Sequence, residues 1–247
     1  MTMRENKYDD ENFFAQYSRM SRSVEGLEAA GEWPELKKLL PPLEGKRVLD
    51  IGCGYGWHCH YAVENGASMV VGCDISEKML KAAAEINASP KIEYRLLAME
   101  DLDFPPQTFN VVISSLAFHY TPDFSFICKK VNDFLNPEGD FIFSVEHPVF
   151  TAQGDQDWIY GSDGRPLHWP VDDYFLEGQR RTKFLGEDVV KYHRTLTTYL
   201  TDLTNNGFLL RAVVEPRPNQ QFLARLPEMR EELRRPMMLL VAASKAS

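Results

Sequence analysis

Val48-Leu49-Asp50-Ile51-Gly52-Cys53-Gly54-Tyr55-Gly56 runs an apolar strand through an acid into three alternating glycines. Arg47, Val48, Leu49 and Ile51 read as a buried strand, and Gly52, Gly54 and Gly56 lack the side chains that would keep a ligand off the backbone. A helix is expected to begin near Trp57 or His58, its free N–H groups facing whatever sits on the loop. Glycine clusters also make ordinary turns, so the triplet takes its meaning from its neighbours.

The next apolar run, 69–73, ends in Asp74, close to the roughly 20-residue offset at which a nucleotide fold places the acid that holds ribose hydroxyls. The competing reading is a cap for the helix expected over 76–87. Two ligand classes suit such a loop, a pyrophosphate dinucleotide and a sulfonium nucleoside. Asp50, just ahead of the first glycine, would oppose two phosphate charges but attract an ammonium and a sulfonium. The dinucleotide pattern also places its last glycine at position 57, which is Trp57.

With VLDIGCGYG at 48–56, VVGCDISEKML at 70–80, MEDLDF at 99–104, FNVVISSLAFHY at 109–120 and LNPEGDFIFSVEHP at 135–148, the chain resembles the class I S-adenosylmethionine-dependent methyltransferases of the small bacterial type. The resemblance is dense over 45–146, and the ending Arg235-Pro236-Met237-Met238-Leu239-Leu240-Val241-Ala242 looks like the last strand of that fold. It implies a Rossmann-like, doubly wound α/β fold on a seven-stranded mixed sheet. Strands are expected near 46–51, 68–73, 91–97, 109–115, 139–146, 207–215 and 236–244. A helix from Thr195 to Asn206-Gly207 carries Leu196, Tyr199, Leu200 and Leu203 on one face.

The resemblance implies S-adenosylmethionine as cofactor and S-adenosylhomocysteine as product. It sets the methionine moiety on Gly52, Cys53, Gly54 and Gly56, with Asp50 at its ammonium directly or through water, and Asp74 on the ribose. Ile75 would cover an adenine face, Met79 would touch ribose or base, and Ser115 and Leu116 would complete the wall. Family members commonly carry an Asp at the position of Ala98, so adenine contacts fall to the Met99 backbone, with Glu100 or Asp101 as acceptors or merely as helix-capping acids. His58 is expected near the cofactor carboxylate. Tyr17 is the candidate for a cation–π contact or hydrogen bond to the cofactor.

His119, His147 and His193 are the candidates for chemistry, His119 and His147 because they follow strands at the carboxyl edge, where open α/β sheets bind ligands. Methyl transfer is an in-line displacement that alignment alone can accelerate, so a general base is optional.

The 247 residues suit one domain, divided into a helical lid (1–44), a cofactor core (45–146), a cap insert (147–194) and a final helix with two strands (195–247). The insert is rich in aromatics, among them Trp158, Tyr160, Trp169, Tyr174, Phe175 and Tyr192; together they suggest a closed pocket for a small molecule, and singly they suggest subdomain packing. Arg22, Arg180, Arg181 and Arg194 read as surface charges or an anion anchor, and Arg230 to Arg235 as a solvated helix end. A net charge of −9 and a pI near 5.2 argue against a nucleic-acid substrate. Ser114-Ser115-Leu116-Ala117 also stands where methyltransferases of nucleobase amines carry an Asn-Pro-Pro-Tyr-like motif.

Cys53, Cys59, Cys73 and Cys128 lack C-x-x-C spacing, and His58-Cys59-His60 point apart on a helix, so reduced thiols and no metal are expected. The polar start Met1–Asp10 and the lack of a long apolar run lead to the expectation of a cytoplasmic protein away from membranes; the oligomeric state is not determined. Two other functions stay open: an S-adenosylmethionine-binding protein that does not methylate, and a dinucleotide oxidoreductase.

Overall fold

In a computed structural model describing residues 6–247, β1 (Arg47–Ile51) lies inside a sheet where only its first residue reaches solvent. The first five residues of the polar start lie outside the described residues. Parallel to β1 run β2 (Met69–Asp74), β3 (Ile92–Leu96), β4 (Phe109–Ser115) and β5 (Leu135–Glu146). The insert forms two hairpins, β6 (Ile159–Tyr160) with β7 (Pro166–His168) and β8 (Gly178–Phe184) with β9 (Glu187–His193). β10 (Phe208–Val214) and β11 (Met238–Lys245) complete a seven-stranded sheet of order β10-β11-β5-β4-β1-β2-β3, in which β11 is antiparallel to both neighbours.

Strand alternation sorts the core into two layers. Val48, Val111 and Ile113 join Trp33 and Leu36 of α3 (Trp33–Leu39) and Cys59 and Ala62 of α4 (Trp57–Glu64). Leu49, Ile51 and Val112 point the opposite way, onto Ile127 and Val131 of α6 (Phe124–Phe134) and Tyr199 and Leu203 of α8 (Leu196–Asn205). Each fully buried Leu, Ile or Phe contributes about 1.5–3 kcal/mol, so this two-sided burial fixes β1 in the centre of the sheet. α5 (Glu77–Ile86) follows β2 and is capped by Ser76, whose hydroxyl oxygen accepts from the Met79 N–H. The N-terminal segment adds α1 (Glu11–Tyr17) and α2 (Ser21–Val24); the insert opens with α7 (Pro148–Thr151), and α9 (Gln220–Arg225) precedes β11.

One expected strand boundary is corrected. The strand expected at 139–146 begins at Leu135, pairs there with Phe109, and bulges through Glu138 (φ 60°) before regular pairing resumes between Val111 and Asp140. Met20 lies beyond α1, at the N-cap of α2. In the insert, Val189, Lys191 and His193 alternate inward along β9, and Leu185-Gly186, both at positive φ, close its hairpin.

Candidate functional site

The parallel strands deliver Gly52, Asp74, Ser115 and Glu146 to one edge of the sheet, and there a cavity of about 700 Å³ opens. Gly52 and Cys53 both donate backbone N–H groups to the Cys73 carbonyl, at 2.8 and 3.0 Å, which folds the glycine loop back over β2. A Cβ on Gly52 would lie 2.5 Å from that of Ala117, whereas one on Gly54 would meet nothing within 4 Å. Both residues line the cavity. Gly56 does not; it caps α4 at φ 73°, where a Cβ would lie 2.2 Å from the Tyr94 hydroxyl, so its place in the expected cofactor set is corrected to a packing role.

Asp74 lies on the cavity wall and accepts the Gly54 N–H (2.8 Å) and the Ser76 N–H (2.9 Å), one on each oxygen. Burial raises its pKa, opposed by these two bonds. Its carboxylate thereby joins the glycine loop to the start of α5 and keeps lone pairs for hydroxyl donors. Ile75, Met79, Met99 and Glu100 follow on the same wall, with Ala98 beside them. The N-terminal segment is fastened across this region, since Asp9 accepts from the Ser76 hydroxyl at 2.6 Å and from the Lys78 N–H at 3.1 Å. It carries Tyr8 and Tyr17 onto the cavity, with Tyr8 edge-on to Tyr17 at 5.1 Å and its hydroxyl 3.1 Å from that of Tyr120.

A smaller recess of about 70 Å³ lies against the glycine loop, lined by Cys53, His58, Arg22 and Ser115. Arg22 is not a surface charge: its guanidinium lies 3.0 Å from Glu32, which is 2% exposed and leaves Oε2 without a hydrogen bond. Asp50 is likewise buried, takes a bond from the Cys59 thiol, and leaves Oδ1 unpartnered. Burial raises its pKa to about 7. It sits behind the loop rather than on the cavity wall. His58 is held neutral, its pKa lowered by burial to about 4, and packs edge-on to Trp33 at 5.4 Å.

Leu116 leaves β4 at φ 54°, a left-handed conformation costing a non-glycine residue about 1–2 kcal/mol, and donates its N–H to the Ser144 carbonyl at 2.9 Å. This turn lays Leu116, Ala117 and His119 along the cavity. Arg194, also expected at the surface, is 6% exposed and holds the turn from behind by donating to the Phe118 and Thr121 carbonyls. His119 accepts the Glu146 N–H on Nδ1 at 3.5 Å, and burial lowers its pKa to about 4. A neutral imidazole whose Nδ1 accepts carries its proton on Nε2, so in this arrangement His119 is a donor and not a base.

The other two histidines are corrected to structural roles. His147 caps α7 through Nδ1, 3.0 Å from the Val149 N–H, with Nε2 3.0 Å from Glu215. Both nitrogens of His193 are engaged, Nδ1 with the Thr151 hydroxyl at 2.8 Å and Nε2 with the Tyr174 carbonyl at 2.9 Å. Neither residue lines the cavity. His147→Ala is therefore expected to lower stability by about 1–2 kcal/mol, a few degrees in Tm, with cofactor affinity and turnover intact. Lost turnover at an unchanged Tm would return His147 to the chemistry.

Of the aromatics expected to close the pocket, only Tyr192 lines it. Trp158 and Trp169 pack outside it around Arg235, whose guanidinium carbon lies 3.9 Å from the Trp169 ring centre, and Phe175 is 88% exposed. The arginine expected at a solvated helix end is thus buried. Phe184, Lys191 and Glu146, none of them an expected site residue, line the cavity instead. The one sequence signal for Lys191 is its position in the alternation Val189-Val190-Lys191-Tyr192-His193. Among the described residues no group of three or more His, Cys, Asp or Glu is placed to hold a metal ion, and no helix is long and apolar enough to cross a membrane.

Comparison with known proteins agrees with this fold. A methyltransferase domain profile matches residues 49–143. A solved Listeria monocytogenes structure, described as a candidate S-adenosylmethionine dependent methyltransferase, is 56% identical, with 90% of this chain and 100% of that one covered at a TM-score of 0.85. An S-adenosylmethionine dependent methyltransferase from Mesorhizobium loti is 42% identical, covering 89% and 100% of the two chains at a TM-score of 0.83. A ubiquinone biosynthesis O-methyltransferase of Neisseria meningitidis is 32% identical over 158 residues, which are 58% of this chain and 66% of that one.

Proposed function

The chain belongs to the S-adenosylmethionine-dependent methyltransferases, and from that premise we propose that it methylates a small molecule bound between the N-terminal segment and β9. The observation that carries the reading is the continuous cavity from Gly54 and Asp74 to Lys191 and Tyr192, roomy enough for a cofactor and a small partner together. The cofactor supplies a sulfonium-bound methyl group. What the chain contributes is binding, orientation and exclusion of water.

The residues present fit that cofactor. Arg22 lines the recess at the glycine loop and can meet a carboxylate there, and the unpartnered Glu32 Oε2 and Asp50 Oδ1, buried behind that recess, are acceptors suited to an ammonium through water. Asp74 is the acceptor for ribose hydroxyls, with Ile75, Met79, Met99 and Glu100 around the base. Tyr8, Tyr17 and Tyr120 cover the cavity, giving the low-water surroundings in which alignment of the reacting atoms is most effective. Because His119 is a donor there, and His147 and His193 are committed elsewhere, no histidine serves as the base. The acceptor is then a group that reacts without one, an ionised oxygen or a neutral amine.

Incubation of the purified protein with S-adenosylmethionine and either low-mass metabolite fractions or bulk tRNA, with S-adenosylhomocysteine release as the readout, tests the reading. Release with the low-mass fraction alone is expected. Release with tRNA alone would overturn the small-molecule part, and tight cofactor binding without release in either arm would favour a protein that binds the cofactor and does not methylate.

A further inference from the structure

The end of the cavity remote from the glycine loop holds a buried polar cluster that cofactor binding leaves unexplained. Lys191, 3% exposed on β9, donates to Glu146 Oε1 at 2.6 Å and to Gln156 Oε1 at 3.0 Å. Gln156 Oε1 also accepts from the Thr182 hydroxyl at 3.0 Å, and its Nε2 donates to Glu146 Oε2 at 2.9 Å. Each Glu146 oxygen therefore accepts one bond from within the cluster. Burial alone would push the Glu146 carboxyl up, but the Lys191 charge and these bonds hold it lower, as the carboxylate.

Two donors are left over. An ammonium has three N–H groups, and the third on Lys191 has no hydrogen-bond acceptor among the described residues, only the Phe184 ring with its centre 5.4 Å from Nζ. His119 takes the Glu146 N–H on Nδ1, so its Nε2–H is its uncommitted donor. Glu146 thus orients both groups, one through its backbone and one through its side chain, and both residues line the cavity. A buried donor without an acceptor costs about 1–3 kcal/mol, so a cluster that turns two donors to the cavity, with the Glu146 charge paired to Lys191 and each of its oxygens already accepting one bond, favours an acceptor-rich ligand.

We propose that Lys191 and His119 form a recognition site for a carboxylate on the methyl acceptor, making the substrate a small organic acid. The assignment deepens the small-molecule reading above and rests on it. An uncharged carboxamide of the same shape would turn an N–H group toward one of the two donors and lose the attraction of the ammonium, so the site discriminates acid from amide. Lys191 and His119 act on the substrate. Glu146 is a positioning residue, its charge paired with Lys191.

The test pairs a small panel of aromatic and aliphatic carboxylic acids, benzoate and 4-hydroxybenzoate among them, with the matching primary amides. Each is assayed for S-adenosylhomocysteine release and for binding to the protein saturated with S-adenosylhomocysteine. Acids are expected to bind about 10- to 100-fold more tightly than their amides, the range of one charge-assisted hydrogen bond. Lys191→Gln should abolish that preference and weaken acid binding by a similar factor. Glu146→Gln should strengthen acid binding, because it removes the charge that offsets Lys191. An ion pair serving only to latch β9 to the sheet would instead shift Tm in both variants and leave the preference alone. Equal binding of acids and amides, binding of neither, or shifts of the same sign in the two variants overturns the proposal. Release with amines or other uncharged acceptors would sink it while leaving the methyltransferase reading standing, and loss of cofactor binding itself would mark failure of that earlier reading.

Discussion

Asp74→Ala raises the dissociation constant for S-adenosylmethionine by about 100-fold, an expectation that follows from one carboxylate serving two backbone donors and a ligand at once. Its oxygens take the Gly54 and Ser76 N–H groups at 2.8 and 2.9 Å, so removal frees the glycine loop from the start of α5 in addition to deleting the ribose acceptor. The stability of the protein without cofactor should change less than its affinity. Burial already disfavours the Asp74 charge, and that cost disappears along with the two bonds. Asp74→Asn keeps one acceptor oxygen and should fall between. Calorimetric titration of both variants decides the matter: wild-type affinity in Asp74→Ala would remove the ribose assignment.

Gly56→Ala and Gly54→Ala should separate folding from binding. At Gly56 a methyl group meets the Tyr94 hydroxyl at 2.2 Å on a backbone with φ 73°, and Tyr94 is tied down by donating to the Asn87 carbonyl at 3.0 Å. Strain and overlap together are expected to cost about 3 kcal/mol, or roughly 10 °C in Tm. At Gly54 the methyl group meets nothing within 4 Å of protein, so only the backbone cost of about 1 kcal/mol remains. The affinity for S-adenosylmethionine should nevertheless drop at least about tenfold there, because the added atom sits where backbone and ligand must approach. Thermal melts with and without cofactor distinguish the pair. If Gly54→Ala binds as wild type does, the ligand does not lie on the loop at that residue.

The glycine loop and Asp74 could be read from sequence because local rules decide them. A strand that is apolar on both faces belongs in the middle of a parallel sheet, and the offset between the glycines and the acid reflects one strand–helix–strand unit. The same locality explains the misassigned glycine. Gly52, Gly54 and Gly56 look alike in a chain, and only the position of Tyr94, on β3, separates the one that packs from the two that line the cavity. The histidines fail for a related reason: proximity to the sheet edge is legible, but the atoms bonded to each imidazole nitrogen come from elsewhere, such as Thr151 and Tyr174 for His193.

The aromatics of the insert show how composition misleads when direction is unknown. Trp158 and Trp169 close on Arg235, 66 residues beyond Trp169 in the chain, while the cavity is covered from the opposite end of the sequence by Tyr8 and Tyr17. Hydrophobic periodicity and the spacing of glycines and carboxylate within neighbouring elements determined the strands around the glycine loop and the place of Asp74, and the family resemblance implied the seven-stranded sheet that the structure has. Only the tertiary structure decided which charges meet in the cavity. Arg22 with Glu32 and Lys191 with Glu146 are pairs whose desolvation is offset only once distant segments fold together, and no local pattern records such a pairing in advance.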